Sequence, residues 1–499
     1  MRFLFVYPNE QLNHTPQMGI LILGSLLETH GVDVSVCDLT FVAPDQWYPY
    51  VDKTMARFKP DVVGVSVRTM KFTLACHLLR EIRKHHPEVT LVAGGPQATY
   101  SPEDVAPEVD FGIMGDGEGV CLDLCRLIAE GRRREISELP NIFFHRDGAL
   151  IKNKPRPLYN LADIPLMNYA LFDERHYRDH NFLHVVPGSK ICGVFEGSRG
   201  CPYQCTYCSS PTLMALNKDG GKWRREKPAS QIRREIDHFR SYFGHVDMLY
   251  FVDEVMMTSD ARTKELRENL EDLAVPFIFS ERPELITADR ARDMKAAGAY
   301  SCCIGIESGN EPYRQKLLQR KMTDEKLKNG FRLMRESGVK THALNMMGLP
   351  DQNGAIMKET FELLQVIQPD TAQATIFFPL PATVLETKVR ADNLYRGHRY
   401  PDNYYQESLL DFPEGHKKAV SVYAHMVNDE FFRDTPLRRL AAWFMSRFPH
   451  PVFYRRVRNL VLDLETSHRL GVAGSVRKIW EKLARPFYAS SQLEPPLDR

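Results

Sequence analysis

The chain has 499 residues, enough for two or three domains that each bury a core. Lys and Arg number 65 against 64 Asp and Glu, and a net charge of +1 gives no reason to expect a nucleic-acid partner. Ten cysteines are too sparse for a disulfide framework, and residues 1–8 hold too short an apolar run for a signal peptide or a membrane span, so we expect a cytoplasmic protein in a reducing compartment.

Over roughly the first 140 residues, short apolar runs alternate with amphipathic stretches, the rhythm of strands and crossover helices in a parallel sheet. Strands are expected at 3–7, 33–37, 62–66, 90–93 and 111–114. Helices are expected at 20–29 and 73–85, the second with Leu74, Leu78, Leu79 and Ile82 on one face. The fold class is α/β, with a doubly wound domain over 1–138 that binds ligands beyond the carboxyl ends of its strands. The loops there, 64–69, 93–99 and 115–118, are rich in glycine and small hydroxyl residues. Such loops let a backbone approach a flat ligand, although glycine is also ordinary at βα turns. Neither a GxxxxGK[ST] nor a GxGxxG loop is present, which argues against a nucleotide. Residues 139–189 are rich in Pro, Asn, Asp and aromatics without periodicity, and read as an ordered linker.

Next comes the run Glu196-Gly-Ser-Arg-Gly-Cys-Pro-Tyr-Gln-Cys-Thr-Tyr-Cys-Ser-Ser210, with Cys201, Cys205 and Cys208 in CxxxCxxC spacing. Three thiolates hold three irons of a 4Fe-4S cluster and leave the fourth open, whereas a structural zinc needs four protein ligands. A zinc knuckle completed by a remote Cys or His is the alternative, but paired CxxC halves are absent. Cys192 is the nearest candidate fourth ligand, and its apolar run 190–195 reads as the strand that delivers the loop.

Further strands, at 248–252, 277–280, 302–306, 341–346 and 373–377, alternate with helices in the pattern of a partial parallel βα barrel over 190–395, whose chemistry belongs at the strand carboxyl ends. Asp253 and Glu254 follow the second strand; taken alone they suit a helix N-terminus equally well. Cys302 and Cys303 are adjacent on one strand, so alternation sends one into the lumen and one outward. Either is a radical or proton-transfer partner or an inert buried thiol, and no catalytic residue is assigned. From 396 to 499 the chain reads as a helical substrate or cap region, with helices at 417–428, 437–447 and 453–470. Residues 431–499 hold thirteen Arg and Lys against six Asp and Glu. That basic, aromatic composition suits a cap on the barrel or a peripheral contact with an anionic membrane.

The CxxxCxxC loop, with Tyr207 directly before the third cysteine, resembles the cluster loop of the radical S-adenosylmethionine superfamily. That resemblance implies that the open iron chelates the amino and carboxylate groups of S-adenosylmethionine. Cleavage with an electron from an external low-potential donor then yields methionine and a 5'-deoxyadenosyl radical. It further implies that Asp253 and Glu254 receive the amino group, that Arg282 pairs with the methionine carboxylate, and that Glu307, within Gly305-Ile-Glu-Ser-Gly309, contacts ribose or methionine. The run 319–323 is similar to the family's basic motif. In 378–383 Ala382 replaces the glycine of a PxPGT-like stretch, so a different local turn is expected.

The upstream glycine loops, with segments 16–28 and 60–66, resemble the cobalamin-binding domain of cobalamin-dependent, class B radical S-adenosylmethionine enzymes. This implies corrin contacts from Ser66, Arg68, Thr69, Gly94, Gly95, Gln97, Gly115 and Glu118. The DxHxxG motif is absent, so cobalamin is expected without histidine ligation. Arg68 cannot be deprotonated to ligate cobalt, and beneath a corrin it would block a lower ligand and favour methyl-cation transfer; the other reading is a solvated or phosphate-facing side chain. The resemblance covers roughly residues 1–390. Methylation of an unactivated carbon in a small-molecule or lipid-like substrate is the leading reaction. The alternatives are a cyclase, oxygenation or ring-rearrangement enzyme, a radical enzyme lacking cobalamin, and a non-catalytic metal or cluster-binding sensor.

Overall fold

The computed structural model describes residues 1–9, 14–178, 186–396, 400, 405 and 407–468. Apolar runs buried on both faces build a seven-stranded first sheet. Its strands are β1 (Arg2–Tyr7), β2 (Asp33–Asp38), β3 (Val62–Ser66), β4 (Thr90–Gly94), β5 (Phe111–Ile113), β6 (Ile142–Arg146) and β7 (Ala149–Lys152), in the order β2-β1-β3-β4-β5-β6-β7. The first five pair in parallel and coincide with the expected strands. Strand alternation divides their side chains between two layers. Phe3, Phe5, Val92 and Ile113 pack under the helices Met18–Thr29 and Glu118–Ala129, while Leu4, Val6, Val63 and Leu91 pack under Trp47–Phe58 and Phe72–His85.

β6 and β7 correct the reading of 139–189 as linker throughout, because both extend the first sheet antiparallel to their neighbours. Asp147 and Gly148, with φ of 52° and 77°, form the two-residue turn between them. An Asp-Gly pair between apolar runs is a hairpin signal. Farther along, Tyr169 and Tyr177 stack edge-on against Phe239 of the helix Ala229–Phe243.

The second sheet contains β8 (Cys192–Phe195), then, after a two-stranded ribbon of β9 (Ser198–Arg199) and β10 (Arg225–Glu226), the strands β11 (Met248–Phe251), β12 (Phe277–Glu281), β13 (Ala299–Glu307), β14 (Lys340–Met347) and β15 (Thr371–Ile376). Its order is β15-β14-β13-β12-β11-β8, all parallel, each strand beside the one before it in this sheet, with β8 and β15 outermost. This is an open, partial barrel. Outward Phe251, Phe277, Phe279, Cys302 and Ile304 join the helix-covered core, and inward Cys192, Met248, Ile278 and Cys303 form a separate apolar floor. Cys303 therefore faces the lumen and Cys302 the helices. Cys192 begins its strand at the end remote from the cluster loop.

The helices Glu414–Asn428, Pro436–Arg447 and Pro451–His468 follow, the first packed on β15 and β14. Residues 469 and 470 of the last expected helix, and the basic tail after it, lie outside the described residues. Among the described residues no helix is long and apolar enough to cross a membrane.

Candidate active site between two sheets

The carboxyl ends of the two sheets meet at a cavity of about 330 Å³. Ser66, Gly94, Gly95, Gly115 and Glu118 line it from the first domain, and Glu196, Arg199 and Val252 from the second. Gly95 has φ of 95°, and a Cβ there would lie 3.1 Å from the Val67 carbonyl oxygen, so the turn after β4 needs glycine. A Cβ on Gly94 would meet nothing within 4 Å and would point into open space. Deeper in, the cavity becomes an apolar slot between the sheet and helix Met18–Thr29, bounded by Phe3, Phe5, Ile22 and Ile113.

Three expected corrin contacts do not line this cavity. Gln97 is fully buried and donates to Tyr400 (2.8 Å) and Asp104 (3.1 Å). Thr69 is buried at the start of a 3-10 turn. Arg68 reaches across the end of β1, donating to Asn9 Oδ1 (3.3 Å) and Tyr7 Oη (3.4 Å). Glu118 lines the cavity but is bound on its other side: it accepts from Arg199 Nη1 at 2.8 Å. Arg199 also pairs with Asp116 (3.1 Å) and Glu196 (2.9 Å), and Asp116 takes a second guanidinium, Arg225, at 2.6 Å. Burial pushes the Asp116 carboxyl up, but Arg199 and Arg225 together hold it below its ordinary value.

Arg199 stands two residues before Cys201. Between them, Gly200 has φ of 95°, and a Cβ would fall 2.6 Å from the Trp223 carbonyl oxygen. The loop is pinned throughout. Cys201 O accepts from Trp223 Nε1 (3.2 Å) and Ser210 Oγ (3.3 Å), Thr206 Oγ1 donates to Leu317 O (2.7 Å), and Leu385 N donates to Thr206 O (3.0 Å). Burial pushes the Cys208 thiol up to about 11 and raises that of Cys201. Among the described residues no three His, Cys, Asp or Glu side chains gather closely enough to share one metal ion, the arrangement a zinc knuckle requires. Thiols that each take a different iron need not converge in that way.

Asp253 and Glu254 are separated by the structure. Asp253 is buried, accepts from Gly197 N (2.8 Å) and from Ser198 Oγ, and burial pushes its carboxyl up to about 6. It secures the start of the cluster segment. Glu254 is exposed at the surface, although desolvation raises its carboxyl above the ordinary value, and it lies near Cys201 and Cys208. Arg282 is also committed. It pairs with Glu284 (2.6 Å), lies 3.7 Å over the Tyr203 ring and donates to Cys205 Sγ at 3.3 Å. Glu307 ends β13 with φ of 65°, 3.8 Å from Arg320, and burial raises its carboxyl. Ala382 takes the left-handed turn its usual glycine would supply, with φ of 61°, and its carbonyl accepts from Thr212 Oγ1 at 2.6 Å.

Sequence profiles match this architecture in two places: the B12 binding domain over residues 10–124 and the Radical SAM superfamily over residues 195–364. The chain therefore joins a B12 binding domain to a Radical SAM superfamily domain, the pairing of cobalamin-dependent radical S-adenosylmethionine enzymes. An uncharacterized methyltransferase of Pyrococcus horikoshii is 27% identical to this enzyme over 388 residues, spanning 76% of this chain and 79% of the other. The anaerobic magnesium-protoporphyrin IX monomethyl ester cyclase of Synechocystis sp. is 26% identical, over 66% of this chain and 64% of that one. The hopanoid C-2 methylase of Rhodopseudomonas palustris is 20% identical, over 94% and 83%. In fold, the enzyme is similar to the radical S-adenosylmethionine methyltransferase TsrM of Kitasatospora setae, with a TM-score of 0.64 and 19% identity over 78% of this chain and 76% of that one.

Several residues of the enzyme's site escaped the sequence reading. Arg199 lies within the cluster-loop run, yet nothing local marks it as the shared partner of Asp116, Glu118 and Glu196. Tyr100 hydrogen-bonds Ser209 of the cluster loop from the first domain, and burial pushes it up to about 12. Arg320 belongs to the recognised run 319–323, but its contact with Cys205 (3.8 Å) is visible only in three dimensions.

Proposed function

We propose that the enzyme is a C-methyltransferase that transfers a methyl group to an unactivated carbon of a small-molecule or lipid-like substrate. The observation that carries this reading is the abutment of the glycine-floored cavity and the thiol loop, joined through Arg199 within two residues of Cys201. When bound, the cluster and S-adenosylmethionine supply a 5'-deoxyadenosyl radical, and cobalamin supplies a transferable methyl group.

The residues present fit these groups. The open space above Gly94 admits a flat macrocycle, and the apolar slot beneath is too small for a corrin but suits the pendant benzimidazole of cobalamin. Cys201, Cys205 and Cys208 offer three thiolates, and the exposed Glu254 carboxylate beside them suits the ammonium of S-adenosylmethionine. Glu307, on the lumen side of β13, is positioned for ribose hydroxyls or the same ammonium. Asp253 is assigned to the scaffold instead. Ser66, Gly94, Gly95 and Gly115 bound the corrin side, with Arg68, Thr69 and Gln97 as outer supports. The domains we assign are 1–138 extended by β6 and β7, the remaining linker to 189, the barrel over 190–395, and the helical region beyond.

Methyl-labelled S-adenosylmethionine with product mass spectrometry tests the reading. Label in a carbon-bound methyl of the product is expected. Label retained wholly in released methionine would instead favour the cyclase or rearrangement alternative.

The C-terminal helices favour a lipid-facing refinement. Leu440, Trp443, Phe444, Phe448 and Val452 are 40–60% exposed, and residues 435–462 contain six Arg and no Asp or Glu. Arg438, Arg439 and Arg458 pair with Glu465, Asp434 and Asp429, while Arg447 lies 4.9 Å over the Trp443 ring, and the exposed aromatic ridge suits a bilayer surface. Flotation with vesicles containing phosphatidylglycerol, but not with phosphatidylcholine alone, is the expected outcome.

A further inference from the structure

Two buried guanidiniums converge on one sulfur of the cluster loop. Arg282 Nη1 donates to Cys205 Sγ at 3.3 Å and Arg320 Nη1 at 3.8 Å, and all three residues are at most 6% exposed. Neither side chain is loosely held. Arg282 is clamped between the Glu284 carboxylate and the Tyr203 ring, and Arg320 donates to Gly305 O (2.6 Å) and Tyr207 Oη (3.1 Å). Cys208, by contrast, accepts only a neutral backbone N–H, from Ser210 at 3.4 Å, among its hydrogen bonds in this loop.

We propose that Arg282 and Arg320 are positioning residues that raise the reduction potential of the cluster through Cys205. The inference rests on the radical-enzyme reading above. It gives Arg282 a role different from the methionine-carboxylate contact expected from sequence, because its N–H groups are already directed to Glu284 and Cys205. When the cluster accepts one electron from an external low-potential donor, negative charge grows on its sulfurs. Fixed donors carrying positive charge stabilise that reduced form, and in a buried site the effect is weakly screened. Because both guanidiniums are braced before reduction, little reorganisation opposes it. The neutralising carboxylates, Glu284 and Glu307, pair with the guanidiniums at 2.6 and 3.8 Å, while Nη1 of each arginine is turned to Cys205.

The test is a potentiometric titration, monitored by electron paramagnetic resonance, of anaerobically reconstituted protein. Wild type is compared with Arg282→Gln, Arg320→Gln, the double variant and Arg320→Lys, each assayed for iron and sulfide. The midpoint should move to more negative values in each Gln variant and further in the double, with Arg320→Lys intermediate. Variants that are fully loaded yet titrate with the wild type overturn the inference. Wild-type protein labelled with guanidino-¹⁵N arginine gives a second measurement that does not depend on any variant holding its cluster. A ¹⁵N coupling to the reduced cluster in pulsed spectra is expected, and its absence also overturns the inference. A wild type with no 4Fe-4S signal at all overturns the functional reading itself and this inference with it; equal midpoints overturn this inference alone.

Discussion

Arg199 and Glu118, 81 residues apart in sequence, form a 2.8 Å ion pair that ties the glycine loop after β5 to the thiol loop after β9. The Glu118 side chain is 4% exposed and that of Arg199 20%, so the pair is little screened by water.

Removing that guanidinium leaves Glu118, Asp116 and Glu196 without a shared counter-charge. Arg199→Met is expected to cost about 3 kcal/mol of stability, the scale for breaking a buried ion pair from one side. Cobalamin retention should fall in parallel. Denaturant unfolding and the absorbance of bound corrin after gel filtration check both, and an unchanged midpoint with full corrin content would contradict the assignment.

Gly94 offers the complementary test, since a side chain there meets no protein atom within 4 Å. Gly94→Leu should leave thermal stability close to that of the wild type while abolishing cobalamin binding. Retained corrin absorbance would sink the proposed position of the macrocycle.

The neighbouring carboxylates 253 and 254 should behave differently on substitution. Glu254→Gln is expected to weaken S-adenosylmethionine binding on the order of tenfold, the value of one charge-assisted contact, without loss of iron. Asp253→Asn should lower stability and cluster content, because it loosens the Gly197 and Ser198 contacts. Anaerobic binding isotherms alongside iron analysis separate the two.

Glu281 makes stability depend on pH. It accepts from the backbone N–H groups of Arg282 (2.7 Å), Met256 (3.1 Å) and Met257, yet burial outweighs these bonds and pushes its carboxyl from 4.5 up to about 7. The folded state therefore holds a proton that the unfolded state has released between these values. Its contribution to stability is fully present below about 4.5 and is lost as pH rises through about 7. Urea midpoints of Glu281→Gln should show a flatter decline across that window than the wild type, whatever their absolute level. A slope equal to that of the wild type would exclude Glu281 as the titrating group.

Much of this molecule was legible in one dimension. The β1–β5 rhythm, the order of the second sheet's strands and the CxxxCxxC loop all depend on residues close in sequence, where alternation and spacing are local geometric facts. Alternation likewise required that Cys302 and Cys303 face opposite ways. It could not say which faced the lumen, because that follows from the helices covering one side of β13.

The sequence by itself determined the chemistry on offer: three thiols in one loop, carboxylates at strand ends and glycines at βα turns. Tertiary structure decided which groups remain free for a ligand. Asp253 is consumed by a strand 55 residues earlier, Glu118 by Arg199, and Arg282 by Glu284 and Cys205, leaving Glu254 open beside the cluster loop. A buried charge must find a partner wherever the fold brings one, and such long-range pairings leave no periodic trace in sequence.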